Sequence, residues 1–117
     1  RPNRIGRYYI GLHNARKLLR VFPCKPFYFD EYGYTTQDMT AFAGGRVTRR
    51  QPARYLTMAY RMTAPLPRVQ LLLWFPWTDD PLAGGTPTLH GHYLGLRDAG
   101  GTRKPSWYAF RKLSRLK

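Results

Sequence analysis

Glutamate is almost missing from this chain: Glu31 is the only one among 117 residues. Chemistry that requires two glutamates therefore cannot be assembled from these residues alone. Cysteine is equally scarce. Cys24 is the only one, so no disulfide forms within the chain. It stands beside Pro23, with no His or Asn in a recognisable relation to it, and is expected as a buried or half-buried packing thiol rather than a nucleophile. Long apolar runs are absent too. The longest, Leu71-Leu72-Leu73-Trp74-Phe75, falls far short of the roughly 20 residues that cross a bilayer, so no membrane partner is expected. The N-terminal residues Arg1, Asn3, Arg4 and Arg7 are not followed by the apolar core of a secretory leader. With no initiator methionine, the true start is left open.

Acids are few in general. Six face twenty Lys and Arg, for a net charge of +14, and fifteen of the twenty are Arg. Such a balance favours anionic partners: nucleic acid, acidic glycans or a charged surface. The basic residues are nevertheless scattered over every segment, with Arg49-Arg50 and the run from Arg111 to Lys117 as the only small clusters. Charges spread over solvated helix faces are the plainer reading of that distribution.

What the chain does have is a short run of unusual composition, Lys25-Pro26-Phe27-Tyr28-Phe29-Asp30-Glu31-Tyr32-Gly33-Tyr34. Apolar and aromatic residues lead into two carboxylates, and a glycine between aromatics follows. This reads as a buried strand, Phe27 to Glu31, ending at a ligand-facing loop. Carboxylates are seldom buried unless paired or functional, which makes Glu31 the best handle on function. Alternation along a strand should send the Asp30 side chain to the face opposite Glu31.

The rest of the chain alternates helix and strand, with no internal repeat. Residues from about Arg7 to Val21 follow a helical period, and Pro23 stops it. A loop from Thr35 to Val47 carries Gly44-Gly45. A second helix spans about Arg49 to Thr63, begun either by a capping box of Thr48 and Gln51 or by Gln51 as cap with Pro52 in the first turn. Leu56, Ala59, Tyr60 and Thr63 share one of its faces. Val69 to Phe75 is a second strand whose unbroken apolarity suits a parallel strand covered on both faces. After a loop from Pro76 to Gly91, Asp98-Ala99-Gly100-Gly101 makes a tight turn or small hairpin. Pro105 opens a last helix with Trp107, Phe110 and Leu113 on one side. Strands separated by helices imply a parallel sheet with helical crossovers, yet two strands cannot complete one.

These segments, in this order, resemble a known family. The run from Lys25 to Tyr34 resembles the seventh strand of the retaining (β/α)8 glycoside hydrolases of the cellulase, xylosidase and mannanase superfamily. There a strand beginning near proline ends in a Glu followed by Phe or Tyr, Gly and an aromatic. Ala53-Arg54-Tyr55-Leu56 resembles the helix after it. Val69 to Phe75 resembles strand eight, with Trp74 where a tryptophan floors the sugar site. Asp79-Asp80 resembles the loop that follows. Tyr93-Leu94-Gly95-Leu96-Arg97-Asp98 through Gly101, then Lys104-Pro105-Ser106-Trp107-Tyr108-Ala109-Phe110, resembles the closing run into helix eight. The likeness covers about Pro26 to Leu113. This sequence departs from the pattern at Asp30, where Thr or Ser is usual, at Tyr34, where Trp is common, and at Pro52.

The resemblance implies an α/β fold: the C-terminal portion of a (β/α)8 TIM barrel, about helix six through helix eight, with residues 1–117 as one partial barrel segment. A whole barrel takes about 250 residues. It also implies a hydrolase that cleaves β-linked glycosides with retention. Such chemistry needs a carboxylate nucleophile and a second carboxyl group roughly 5–5.5 Å away. Glu31 takes the place of the nucleophile. The family's acid/base Glu, after an Asn at the end of strand four, has no counterpart here, so the isolated chain is expected to be inactive. Trp74 would lie beneath the sugar, with Tyr34 and Tyr32 at the edge of the site. The expected partners are a carbohydrate substrate and either the missing N-terminal part of the barrel or further copies of this chain. No cofactor and no metal are implied. The compartment stays open, secretion included if a longer protein carries a signal peptide.

The rival reading is a small basic module binding nucleic acid or acidic polysaccharide, since Arg interleaved with Tyr and Trp is what single-strand binders use. Against it, the aromatics fall on strands and helix faces. Each singled-out residue also has a plainer reading. Glu31 could be a strand-end carboxylate paired with Arg, Trp74 core, and Tyr32 and Tyr34 packing. Asp79-Asp80 reads as a loop and turn pair, and His90-Gly91-His92, which lacks a third ligand, as a solvated loop.

Overall fold

The computed structural model describes residues 11–36, 47–82 and 93–115. Gly11 opens the first element. Its N–H donates to Asn14 Oδ1 at 2.7 Å, while the Asn14 N–H returns to the Gly11 carbonyl at 3.1 Å, closing a 3-10 turn at Leu12–Asn14. The turn runs into helix α1, Ala15–Val21, which buries Ala15 and Leu19. The helix ends as the sequence predicts, just before Pro23. Its final carbonyls are not left to water. The Arg68 guanidinium reaches back from far along the chain and donates to the carbonyls of Leu19, Phe22 (2.6 Å) and Lys25 (3.0 Å). A fork of five fixed donors is suited to such a task. Cys24 lies in this turn with φ of 65° and is exposed. The packing thiol expected there is thus corrected: a left-handed residue in a helix-ending turn carries its side chain away from the core.

Strand β1, Phe27–Tyr32, pairs in parallel with strand β2, Val69–Trp74, in a two-stranded sheet. Between them runs helix α2, Gln51–Thr63. Its N-cap is Arg50, which makes no side-chain cap bond, so Gln51 lies inside the helix instead of capping it. The Thr48 N–H donates to Gln51 Oε1 at 2.6 Å, the reaching-back half of a capping box, and Pro52 sits in the first turn. A final helix, α3, Pro105–Leu113, packs against α2. The tight turn before it is present: the Asp98 N–H donates to the Thr102 carbonyl at 2.9 Å, and Arg97 pairs with Arg103. The Gly44-Gly45 and His90-Gly91-His92 stretches, and the part of the first helix expected before Gly11, lie outside the described residues.

The helices cover only one face of the sheet, and the core is in two parts. At the end where the strands begin, Ala15, Leu19 and Leu66 pack with Phe27, Phe29 and Val69. At the other end, Leu56, Trp74 and Leu96 pack with Tyr32, Trp107, Phe110 and Leu113. On the opposite face Tyr28 is 61% exposed, and Leu71 and Leu73 are exposed beside it. Neither strand is therefore buried on both sides as its apolarity predicts. The sequence of β2 is written for a cover that these residues do not supply.

Candidate active site

The strands do not pair in simple register. Phe29 faces Leu72 and Tyr32 faces Trp74, so that Asp30 and Glu31 together stand against the single residue Leu73. This is a β-bulge, rare in parallel sheets and common beside active sites, where it re-aims a side chain. It corrects the expected alternation: Asp30 and Glu31 are both exposed, with no sign of one being turned to the covered face. Glu31 enters no ion pair among the described residues, so the plainer reading of it as an Arg-paired carboxylate finds no partner.

Past the bulge the aromatics assemble. Tyr32 meets Trp74 edge-on at 5.7 Å and Tyr34 edge-on at 5.6 Å, and Tyr34 leans on Tyr55 at 4.7 Å. The Tyr32 hydroxyl donates to the Tyr55 carbonyl at 3.2 Å, fixing β1 to α2. Trp74 is only 6% exposed, and its Nε1–H donates to the Leu94 carbonyl at 2.7 Å. It is a core ring with an anchored edge. The more exposed aromatics are the two that follow it, Phe75 at 39% and Trp77 at 53%. With Leu71 to Trp74, Leu96 and Phe110 they line a groove of about 420 Å³. Sequence reasoning passed over Phe75 and Trp77. Their only signal was position, one and three residues beyond the strand end.

Burial, more than anything else, raises the ionisation of the Tyr32 hydroxyl far above its ordinary value, and the neighbouring Tyr34 adds to this; burial raises Tyr34 as well. The folded state thus favours the neutral phenols. The stability this contributes is complete below about pH 10, the unfolded value, and is lost as pH rises beyond it. In an ultraviolet titration, Tyr32 and Tyr34 are expected to ionise only as the fold opens in alkali. Phenolate absorbance for all tyrosines appearing near pH 10, before any loss of structure, would contradict this.

A buried ion pair holds the loops behind these rings. Lys104 Nζ lies 2.6 Å from Asp79 Oδ2 and 2.7 Å from Oδ1, with both side chains at most 5% exposed. The Gly95 N–H donates to Asp79 Oδ1 at 2.8 Å, and Lys104 also donates to Thr36 Oγ1 and the Tyr93 carbonyl. The pair therefore ties together the segment after β1, the loop after β2 and the approach to α3. It also places Leu94, whose carbonyl holds Trp74. Asp79 and Asp80 divide as a loop and turn pair should: Asp80 Oδ1 merely accepts from the Leu82 N–H at 2.9 Å. The role of Asp79 was legible only in part, since nothing local connects it to Lys104.

Two glycines let the backbone close up here. A Cβ on Gly33 would stand 2.6 Å from the Phe75 carbonyl oxygen. One on Gly95 would stand 2.4–2.6 Å from three backbone atoms of Thr78, Asp79 and Arg97. Backbone cannot swing aside as a side chain can, so Gly95→Ala is expected to cost about 3 kcal/mol or more. A urea midpoint equal to that of the parent would show that the loop adjusts freely. Elsewhere Asp98 is held below the usual carboxylate range by the Thr102 N–H first and by Arg49 after it, which marks it as a turn residue. No group of metal-ligating side chains is found among the described residues.

No family model matches this chain, and no curated protein matches it. Solved structures do. A monomeric β-xylosidase from Caulobacter crescentus CB15 superposes with a TM-score of 0.61 at 25% identity, covering 91% of this chain and 21% of that enzyme. A GH39 β-xylosidase from Caulobacter crescentus gives 0.58 at 25% identity, over 91% and 23%. A β-glucuronidase from Faecalibacterium prausnitzii gives 0.65 at 15% identity, over 91% and 18%, a likeness of fold alone. These neighbours are TIM-barrel glycoside hydrolases, and this chain spans about a fifth of their length. The resemblance drawn from the sequence is thereby met: the chain is built like a piece of a glycoside hydrolase, a small α/β unit of two parallel strands and three helices.

Proposed function

We propose that these residues form strands seven and eight, with their helices, of a (β/α)8 glycoside hydrolase that acts on β-linked glycosides with retention, and that the whole of 1–117 belongs to that one barrel. Glu31 is the nucleophile. The observation that carries this reading is the bulge at Asp30–Glu31, which brings out, at the end of a parallel strand beside the aromatic cluster, a carboxylate with no ion-pair partner among the described residues. Ends of parallel barrel strands are where catalytic groups stand. In the retaining scheme a Glu31 oxygen attacks the anomeric carbon as the leaving oxygen departs with a proton from the second carboxyl group. Water then cleaves the ester, returning its proton to that group.

The second carboxyl group is assigned to a strand outside this chain. Asp79, a buried partner of Lys104, is not free to serve. Trp74 lies beneath the reacting subsite as its support, with Tyr32 and Tyr34 bracing it. Because Trp74 is almost wholly buried, the contact surface offered to a sugar is assigned to Phe75 beside it. The uncovered face of Tyr28, Leu71 and Leu73 is the barrel interior, which the remaining strands would close. No cofactor takes part.

The open sheet follows from the same reading and supplies a test. Among the described residues each strand has one unpaired edge, and open apolar edges recruit other chains. The purified chain is expected to form oligomers and to leave aryl β-glycosides uncleaved. Light scattering and a chromogenic assay check both. A stable monomer that turned these substrates over would overturn the barrel assignment and the absence of an acid/base group together.

A further inference from the structure

The positive charge is not spent evenly, and one part of it borders a groove. Between α2 and α3 lies a cleft of about 450 Å³ whose lining includes Thr57, Tyr60, Arg61, Tyr108, Lys112 and Leu113. That volume is within the range of small-molecule sites, about 300–1,000 Å³. Tyr108, 57% exposed, presents its ring at one wall. Arg61 and Lys112 contribute two cations, neither of them in an ion pair among the described residues. On the adjoining side of α3, Arg103 lies over the Trp107 ring at 4.2 Å and Arg111 at 5.5 Å. These two cations likewise have no carboxylate partner among the described residues. Trp107 meets Tyr108 edge-on at 5.1 Å, joining the two groups into one surface.

We infer that this groove, with the arginines beside it, binds a segment of an acidic polysaccharide, away from the end of β1 where Glu31 stands. An anion is called for because the two cations that line the cleft, and the two arginines over the neighbouring Trp107 ring, have no carboxylate partner among the described residues. Among polyanions, a single-stranded nucleic acid would need open aromatic faces for its bases. Trp107 instead has its ring engaged by the chain's own guanidinium groups. A carboxylated sugar asks for less: one apolar ring wall, which Tyr108 supplies, and forked or point donors for carboxylate, which Arg61, Lys112 and Arg111 supply. The preference for a glycan also rests on the carbohydrate reading above, whereas the need for an anion does not.

The test uses the full chain, with polygalacturonate as probe and neutral xylan and oligo-dT as comparators, followed by calorimetry at two salt concentrations. Polygalacturonate should bind and weaken with salt, and xylan should not bind. Arg61→Gln with Lys112→Gln should lower the affinity about tenfold or more. Arg16→Gln with Arg20→Gln, which removes the same charge from the exposed side of α1, should have little effect. Tyr108→Ser keeps the net charge and should still lower the affinity, so the proposal can be tested even if the first pair fails to fold. Equal losses in the two charge pairs, or an unchanged Tyr108→Ser, would reduce the binding to net charge and overturn the site. Oligo-dT bound as tightly as polygalacturonate would overturn the choice of ligand. Binding is read without turnover, so an error in the role of Glu31 would leave these outcomes untouched.

Discussion

Glu31→Gln is expected to abolish glycoside cleavage in a protein that carries the remaining strands, by at least about 10⁴-fold, while the fold is kept. Removing a nucleophile costs orders of magnitude in rate because no other group takes over the covalent step. The amide is nearly the same size as the carboxylate, and Glu31 is exposed and makes no ion pair among the described residues, so little stability should be lost. The measurement is hydrolysis of an aryl β-glycoside, with a thermal melt as control. A second readout isolates the nucleophile: in Glu31→Gly, which leaves the place of the carboxylate empty, added azide should restore turnover of an activated aryl β-glycoside, and the product should then carry azide with the opposite anomeric configuration. An unchanged rate in Glu31→Gln would remove the residue from the mechanism.

Lys104→Met is expected to be the most destabilising single change in the described structure. It leaves the Asp79 carboxylate buried without its counter-ion, a loss of about 3–5 kcal/mol. Small domains have only about 5–15 kcal/mol in total, so the variant should be largely unfolded or close to it. Urea unfolding at neutral pH gives the number. Replacing both partners, Asp79→Leu with Lys104→Met, should recover part of the loss, because no charge is then stranded. Recovery should be incomplete, since the Gly95 N–H loses its acceptor. If Lys104→Met melts with the parent, the pair has no structural role, and the placing of Leu94 and Trp74 needs another cause.

Element boundaries were largely legible because they depend on local signals. Pro23, Pro52 and Pro105 mark helix ends, and the observed bounds of β1, α2, β2 and α3 fall within a residue or two of expectation. The position of Glu31, the single glutamate, near a strand end was legible. What escaped depends on contacts between distant residues. The bulge at Asp30–Glu31 is a property of pairing with Leu73 and carries no glycine to announce it. The Lys104–Asp79 pair and the Arg68 cap join positions far apart in sequence. Burial was over-read in both places: Cys24 is exposed because of its backbone conformation, and Leu71 and Leu73 are exposed because the described helices pack on the other face of the sheet.

The two separate core clusters have a consequence for how this molecule tolerates change. The cluster of Ala15, Leu19 and Leu66 supports the beginnings of the strands, whereas Leu56, Trp74 and Leu96 support their ends. Loosening at α1 therefore need not reach Glu31. Amide exchange should divide along the same line, with α1 opening in a separate step from α2 and α3. Side-chain replacements at the α1 end should therefore leave the end of β1, and the carboxylate it carries, where they are.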